Sequence, residues 1–368
     1  MKLTRIELHW VRLPLVTPFR TSFGTEYERE ALLVKAITPD AVGWGECVAM
    51  PQPDYSAEYV DGAADALVRF LIPAVSALPT VSAATVGHAL AAVKGHPMAK
   101  AALEIAILDA QLRQAHMSLA EYLGSVKPAV PAGVSVGIMT SIPELLDTVD
   151  GYVAAGYQRI KLKIQPGWDV APVRAVREHI GDAVPVQVDA NGAYTVTDAA
   201  HLAKLDAFDL LMIEQPLAED DLRGHAALAR RLRTPICLDE SVTSPVRAVE
   251  AIESGAAAIV NIKPGRVGGY LQARRIHDVC AAHGVPVWVG GMVETGIGRA
   301  ANVALAALPN FTLVGDVSAS DRFFARDITP PVVMRDGWIE VPTGPGIGVE
   351  PDEAALKESS VRSEGIDL

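Results

Sequence analysis

The chain is predicted to be an α/β protein: a (β/α)8-type, TIM-like barrel with an α+β capping domain formed by the N-terminal region and the C-terminal tail. Three observations carry this reading. The stretch from Lys161 to Arg266 holds five short apolar runs, each closing on a charge: RIKLKI with Lys163, PVQVD with Asp189, LLMIE with Glu214, PICLD with Asp239 and IVNIK with Lys263. The steps between those charges are 26, 25, 25 and 24 residues, the length of one strand–loop–helix–loop unit. A charge repeated at the same end of each strand is not needed for packing, and in a closed barrel it lies on the catalytic face.

The elements follow in order. Residues 2–14 (KLTRIELHWVRLP) alternate as a strand does. A loop carrying Pro18, Phe19, Arg20, Phe23 and Gly24 leads to REALLVKAIT and GWGECVAM, two strands joined around Pro39-Asp40. Helical patterns cover 56–76, 83–94 and 98–115, so residues 1–125 read as the capping domain. The barrel is placed at 126–325 and starts with GVSVG (133–137). Ser141-Ile-Pro-Glu144 has the form of a capping box with proline early in the helix. Helices around 170–179, 244–254 and 268–283 are followed by the stop signals Gly181, Gly255 and Gly284. VPVWVG (285–290) supplies a seventh strand and FTLVGD (311–316) an eighth. Beyond that, VVMRDGWIEVP predicts a hairpin with an Asp-Gly turn, and residues 326–368 are expected to return to the capping domain.

With 368 residues, half of them hydrophobic and 21% charged, the chain can bury a full core and is not disordered. A net charge of −12 without a basic cluster argues against nucleic acid as a partner. The start MKLTRIELHW lacks a signal-peptide core, and no run nears the roughly 18 apolar residues of a membrane span. Cys47, Cys237 and Cys280 sit far apart in apolar contexts and read as reduced core residues of a cytoplasmic protein.

Asp189, Glu214 and Asp239 end three neighbouring strands, so their carboxylates are expected to converge. Such acids repel unless a cation lies between them, and an all-oxygen set favours Mg²⁺. Separate salt bridges at the barrel mouth are the alternative. Glu240 follows Asp239 and, on an extended strand, faces the other way, as an outer hydrogen-bonding group or a loop carboxylate. Lys161 and Lys163, two apart, both point into the barrel, where repulsion and a metal are expected to depress one amine toward a working base. Lys263 ends the sixth strand, opposite the second, so a bound carboxylate would have Lys163 on one face and Lys263 on the other. That suits removal of a proton α to the carboxylate, with the ion stabilising the enediolate.

These residues resemble the enolase superfamily, muconate-lactonizing subgroup, through K-x-K at 161–163, the Asp/Glu/Asp triad, DES at 239–241 and NIKPGRVGG at 261–269. The chain is most similar to the o-succinylbenzoate synthase / N-acylamino acid racemase family, through PFRTSFGT, GWGEC, GVSVGIM, QVDAN, IEQPL, ICLDES and GGMVETGIGRAANVALA. The resemblance implies Lys163 and Lys263 as the acid/base pair and Asp189, Glu214 and Asp239 as ligands of Mg²⁺, with Mn²⁺ or another divalent cation able to substitute. It implies that Lys161 assists Lys163 and holds a substrate carboxylate oxygen, with Asn191 and Glu240 behind the ligands. Substrate contacts would come from Ser135, Gly291 and Met292 in the barrel and from Phe19, Phe23 and Tyr55 in N-terminal loops, core packing being the alternative for the aromatics. Arg266 would tune Lys263, unless it is an ordinary helix-start arginine.

The expected function is an Mg²⁺-dependent o-succinylbenzoate synthase that also racemises N-succinyl or other N-acylamino acids, with a dedicated racemase as the alternative. A dipeptide epimerase is disfavoured because relatives of that kind carry an Asp-x-Asp pair after the eighth strand. Here GDVSASDRFF spaces Asp316 and Asp321 five apart. Muconate cycloisomerase and a non-catalytic barrel binding a small anion complete the alternatives. The partners expected are a small carboxylate substrate and further copies of the chain, as a dimer or octamer.

Overall fold

Apolar residues at every second position of the N-terminal region fold into long antiparallel strands. The computed structural model describes all 368 residues, Met1–Leu368. Strands β1 (Arg5–Arg20), β2 (Thr25–Ile37) and β3 (Val42–Cys47) form one sheet. β1 runs past its predicted end at residue 14. Its register with β2 slips between Pro14 and Phe19, a gap edged by Pro14 and Pro18, neither of which can donate to a ladder. The sheet buries both faces. Ile6, Leu8, Trp10, Leu32 and Val34 enter a cap core, while Val11, Leu13, Ala31 and Leu33 join the barrel core.

Helical segments over 60–76, 83–92 and 97–114 cover the cap side. The alanine-rich helix Pro97–Gln114 lies directly on β3 because Gly43 and Gly45 leave room. A Cβ on either would come within 2.1 Å of a helix carbonyl oxygen, that of Ala106 or Ala102.

After β4 (Ala129–Pro131), the barrel strands are β5 (Gly133–Val136), β6 (Arg159–Lys163), β7 (Val186–Asp189), β8 (Ile213–Glu214), β9 (Ile236–Leu238), β10 (Ile259–Ile262) and β11 (Val287–Val289). These seven form one parallel sheet in sequence order. The predicted eighth strand is not one. Residues 311–316 close the ring through single contacts: Gly133 N donates to Gly315 O at 3.0 Å and Asp316 N to Val289 O at 2.8 Å. Gly315 lies so close to the Val289 carbonyl that a Cβ there would meet it at 2.7 Å, and a regular side-chain-bearing strand does not fit.

Ser141 caps its helix by accepting from Glu144 N at 3.3 Å, but the Glu144 carboxylate returns to Thr140 rather than to Ser141, so the capping box is half formed. Asp336-Gly337 makes the predicted turn, with φ of 51° and 82°, between β12 (Met334–Arg335) and β13 (Trp338–Glu340). That hairpin pairs with β4, whereas the last strand, β14 (Ser360–Asp367), pairs antiparallel with β1. No helix is long and apolar enough to cross a membrane. All three cysteines are buried and free.

Candidate active site

The barrel register puts the charges side by side. Lys163 pairs with Asp189 and Asp189 with Glu214 across β6, β7 and β8, while Asp239 and Lys263 stand one residue beyond β9 and β10. All five are buried. Lys163 Nζ lies 2.6 Å from Asp189 Oδ2 and 2.7 Å from Asn191 Oδ1. Lys161 Nζ lies 3.1 Å from Glu214 Oε2, 3.4 Å from Asp189 Oδ2 and against Asp316. On the opposite flank, Lys263 Nζ lies 2.7 Å from Asp239 Oδ2 and donates to Tyr55 Oη at 3.1 Å.

The three acids each turn to a cation, and no three acidic, histidine or cysteine side chains form a closed ligand set. Each acid instead takes a nearby ammonium group, and Asp189 and Glu214 share that of Lys161, which offsets the repulsion between them. The donor chemistry nevertheless fits a hard divalent cation. It consists of carboxylate oxygens alone at neighbouring strand ends, and the Asp239 carboxylate is fully buried with only the Lys263 and Arg266 cations against it.

Lys161 is not the depressed amine of its pair. Burial pushes the Lys161 amine down, but Asp316, Glu214 and Asp189 overcome it and hold the ammonium above its usual range. At Lys263 burial is likewise outweighed, by Tyr55, Glu240 and Glu214. Burial opposes ionisation of Asp189, yet Lys163 and Lys161 hold its carboxyl well below the ordinary value.

The surrounding residues divide. Asn191, at φ 43°, takes the Lys163 ammonium on Oδ1 and donates through Nδ2 to Glu240 Oε1 at 2.8 Å. Glu240 does not face away. β9 stops at Leu238, the chain turns, and Glu240 comes back toward Asn191 and Lys263. Arg266 is buried at a helix start, donates to Asn261 O at 2.7 Å and pairs with Asp239, so it reaches Lys263 only through the acid they share.

Phe19, Ser135 and Gly291 line a cavity of about 50 Å³ together with Lys161, Lys163 and Lys263. Ser135 Oγ is enclosed there with no hydrogen-bond partner. Met292 does not line that cavity; it borders a smaller one that shares Lys263. The Phe23 and Tyr55 rings stand 6.0 Å apart above the mouth, and Ser22 Oγ donates to Ala190 O at 3.2 Å, tying the loop to the barrel.

A cap sheet closing the mouth of a parallel barrel, with acids and amines at the strand ends, is the pattern of one superfamily. Residues 5–124 match the mandelate racemase / muconate lactonizing enzyme N-terminal domain, and residues 144–355 match the enolase C-terminal domain-like model. The chain belongs to this family. It is similar to an N-succinylamino acid racemase from Amycolatopsis sp, 64% identical over 97% of both chains. It is also similar to an o-succinylbenzoate synthase from Geobacillus kaustophilus, 48% identical over 95% of this chain and 94% of that one. A crystal structure of an enolase superfamily member from Listeria innocua superposes with a TM-score of 0.96 at 38% identity, covering 100% of this chain and 99% of that one.

Sequence reasoning missed several members of the site. Asp316 accepts from Arg159 Nη2 at 2.8 Å and also holds Lys161. FTLVGD ends in that acid, so the rule of charges at strand ends pointed to it. Asn261, two residues before Lys263, donates to Glu214 Oε1 at 2.6 Å, and the Asn-x-Lys spacing was its signal. Nothing local marked Arg159 or Trp288, which packs beneath both Arg159 and Lys161 with its ring centre 5.4 and 4.8 Å away.

Proposed function

We propose that the chain is an o-succinylbenzoate synthase, dehydrating 2-succinyl-6-hydroxy-2,4-cyclohexadiene-1-carboxylate in menaquinone biosynthesis, and that the same site racemises N-succinylamino acids. One observation carries the reading: Lys163 and Lys263 flank three strand-end carboxylates from opposite sides and line one cavity. Asp189, Glu214 and Asp239 would hold Mg²⁺, or Mn²⁺ or another divalent cation in its stead. When bound, the ion supplies positive charge at the substrate carboxylate, where negative charge grows as the α-proton leaves.

The chain's own groups do the rest. Lys161 holds a carboxylate oxygen. Lys163 removes the α-proton and, in dehydration, passes it to the departing hydroxyl, which leaves as water. Lys263 stays protonated and stabilises the enolate from the other face. In racemisation Lys263 instead returns a proton on its own face, so either enantiomer can enter. Phe19, Phe23 and Tyr55 exclude water. Asn191 and Glu240 orient Lys163 and Lys263, and Ser135 Oγ and the open Gly291 backbone are substrate contacts.

The 64% identity to a protein named for racemisation makes a dedicated racemase the second reading. Enclosed free thiols and a chain without a spanning helix agree with a cytoplasmic enzyme, which we take to be a dimer or octamer. Purified protein with Mg²⁺ is expected to catalyse both reactions. In D2O, Lys263→Ala should exchange the α-proton of one enantiomer and Lys163→Ala that of the other, with neither racemising. Continued racemisation by Lys263→Ala would refute the two-base reading.

A further inference from the structure

Part of the cavity wall is built from three residues of distant segments. Phe19 comes from β1, Ser135 from β5 and Phe323 from the stretch after the ring closes, and all three line the space that holds the lysines. The Phe19 and Phe323 rings meet edge to face with their centres 6.1 Å apart. Backbone bonds fix the chain on either side of Phe19: Val16 N donates to Phe323 O and Ile138 N to Arg20 O, both at 2.9 Å. Those bonds hold the backbone but not the rings.

Arg322 touches all three from outside the cavity, which it does not itself line. Its Nη2 donates to Ser135 O at 3.0 Å, and its guanidinium carbon lies 4.7 Å from the Phe323 ring centre and 5.9 Å from that of Phe19. A third ring, Tyr152 on the helix after β5, lies 5.1 Å away. The short turn that carries Arg322 is pinned, since Ser320 Oγ donates to Asp327 Oδ2 at 2.7 Å and accepts from Val332 N at 3.0 Å. Arg322 is buried, and burial pushes its guanidinium below the usual range. Other buried arginines around the barrel are held differently. Arg159 and Arg266 each face a carboxylate, and Arg299 donates to Ser318 O and Glu294 O. Arg322 has one hydrogen bond, and its Nε is enclosed without a partner. A cation buried in this way costs more than an apolar side chain of similar reach. What only a planar guanidinium offers is a flat face for aromatic rings together with a donor edge for a carbonyl.

We infer that Arg322 is a positioning residue for the apolar part of the substrate: it clamps Phe19 of the cap against Phe323 and Ser135 of the barrel, and so sets how closely the cavity wall fits a side chain or ring. The inference rests on the proposed function. Its test is the racemisation of N-succinylalanine and N-succinylmethionine by the Mg²⁺-loaded enzyme. In Arg322→Met the methionine-over-alanine ratio of kcat/KM should fall about tenfold, the scale of a methylene misfitted in an apolar pocket, and chiefly through KM. Arg322→Lys keeps the charge and a donor for Ser135 O but not the flat face, so it should restore only part of the ratio. A double-mutant cycle with Phe19→Leu should be non-additive, because either change releases the same contact. An equal fall for both substrates would make Arg322 merely structural and overturn the inference, as would an unchanged ratio or strictly additive effects. If Arg322→Met does not fold, Arg322→Lys in the same cycle decides. Racemisation of neither compound by wild type would overturn the proposed function and the inference with it.

Discussion

Asp316→Asn tests how the charge network holds together. Asp316 sits between Arg159, at 2.8 Å, and Lys161, and it is buried. Burial resists its ionisation, but Lys161 and Arg159 prevail and hold the carboxyl down at about 2 against a usual 3.8. At about 1.36 kcal/mol per tenfold change in acidity, that difference contributes on the order of 2 kcal/mol to folding. Removing one member of a buried ion pair typically costs about 3–5 kcal/mol, but here Lys161 keeps Glu214 and Asp189 while Arg159 keeps the Val134 and Val314 carbonyls. The lower figure is therefore expected. A depressed carboxyl stabilises the fold above the unfolded value and loses that effect as pH falls through the folded one. The deficit of Asp316→Asn should thus be full at pH 7 and shrink between about pH 4 and pH 2. The assay is the unfolding rate in urea, which remains defined even where unfolding is irreversible. If the loss falls wholly on unfolding, the rate should rise roughly tenfold or more at pH 7. A change under twofold, or a deficit unaltered at pH 3, would refute the reasoning.

Three further outcomes are expected. Mg²⁺ at a hundred times its Kd should stabilise the protein by about 2.7 kcal/mol in thermal unfolding, and EDTA should abolish turnover; activity that survives EDTA would remove the metal from the proposal. Glu46 accepts from Thr295 and Gly298 at a helix N-terminus, yet burial pushes its carboxyl up to about 7. A raised acid favours the fold below its unfolded value and loses that effect as pH climbs, so Glu46→Gln should gain up to about 3 kcal/mol on wild type between pH 5 and pH 8 by chemical denaturation. Gly133→Ala would put a Cβ 2.4 Å from Gly315 O and 2.7 Å from the Arg159 guanidinium. It should cost about 1–3 kcal/mol by the same measurement and lower kcat/KM by loosening Lys161.

The sequence by itself determined which residues share the catalytic face. A repeat of about 25 residues places each run at one strand position, and two-residue alternation turns Lys161 and Lys163 inward together. Both are local regularities of the backbone. What only the tertiary structure decided depends on atoms brought together from distant segments. The ring closes through Gly315 rather than an eighth strand because the Val289 carbonyl lies against it. Glu240 turns inward because β9 ends one residue before Asp239. Which acid takes which amine follows from the balance of burial and charge inside the closed barrel. No spacing in the chain records that balance, so Lys161 and Asp316, 155 residues apart in the sequence, can each be placed at the barrel mouth but not paired from the sequence.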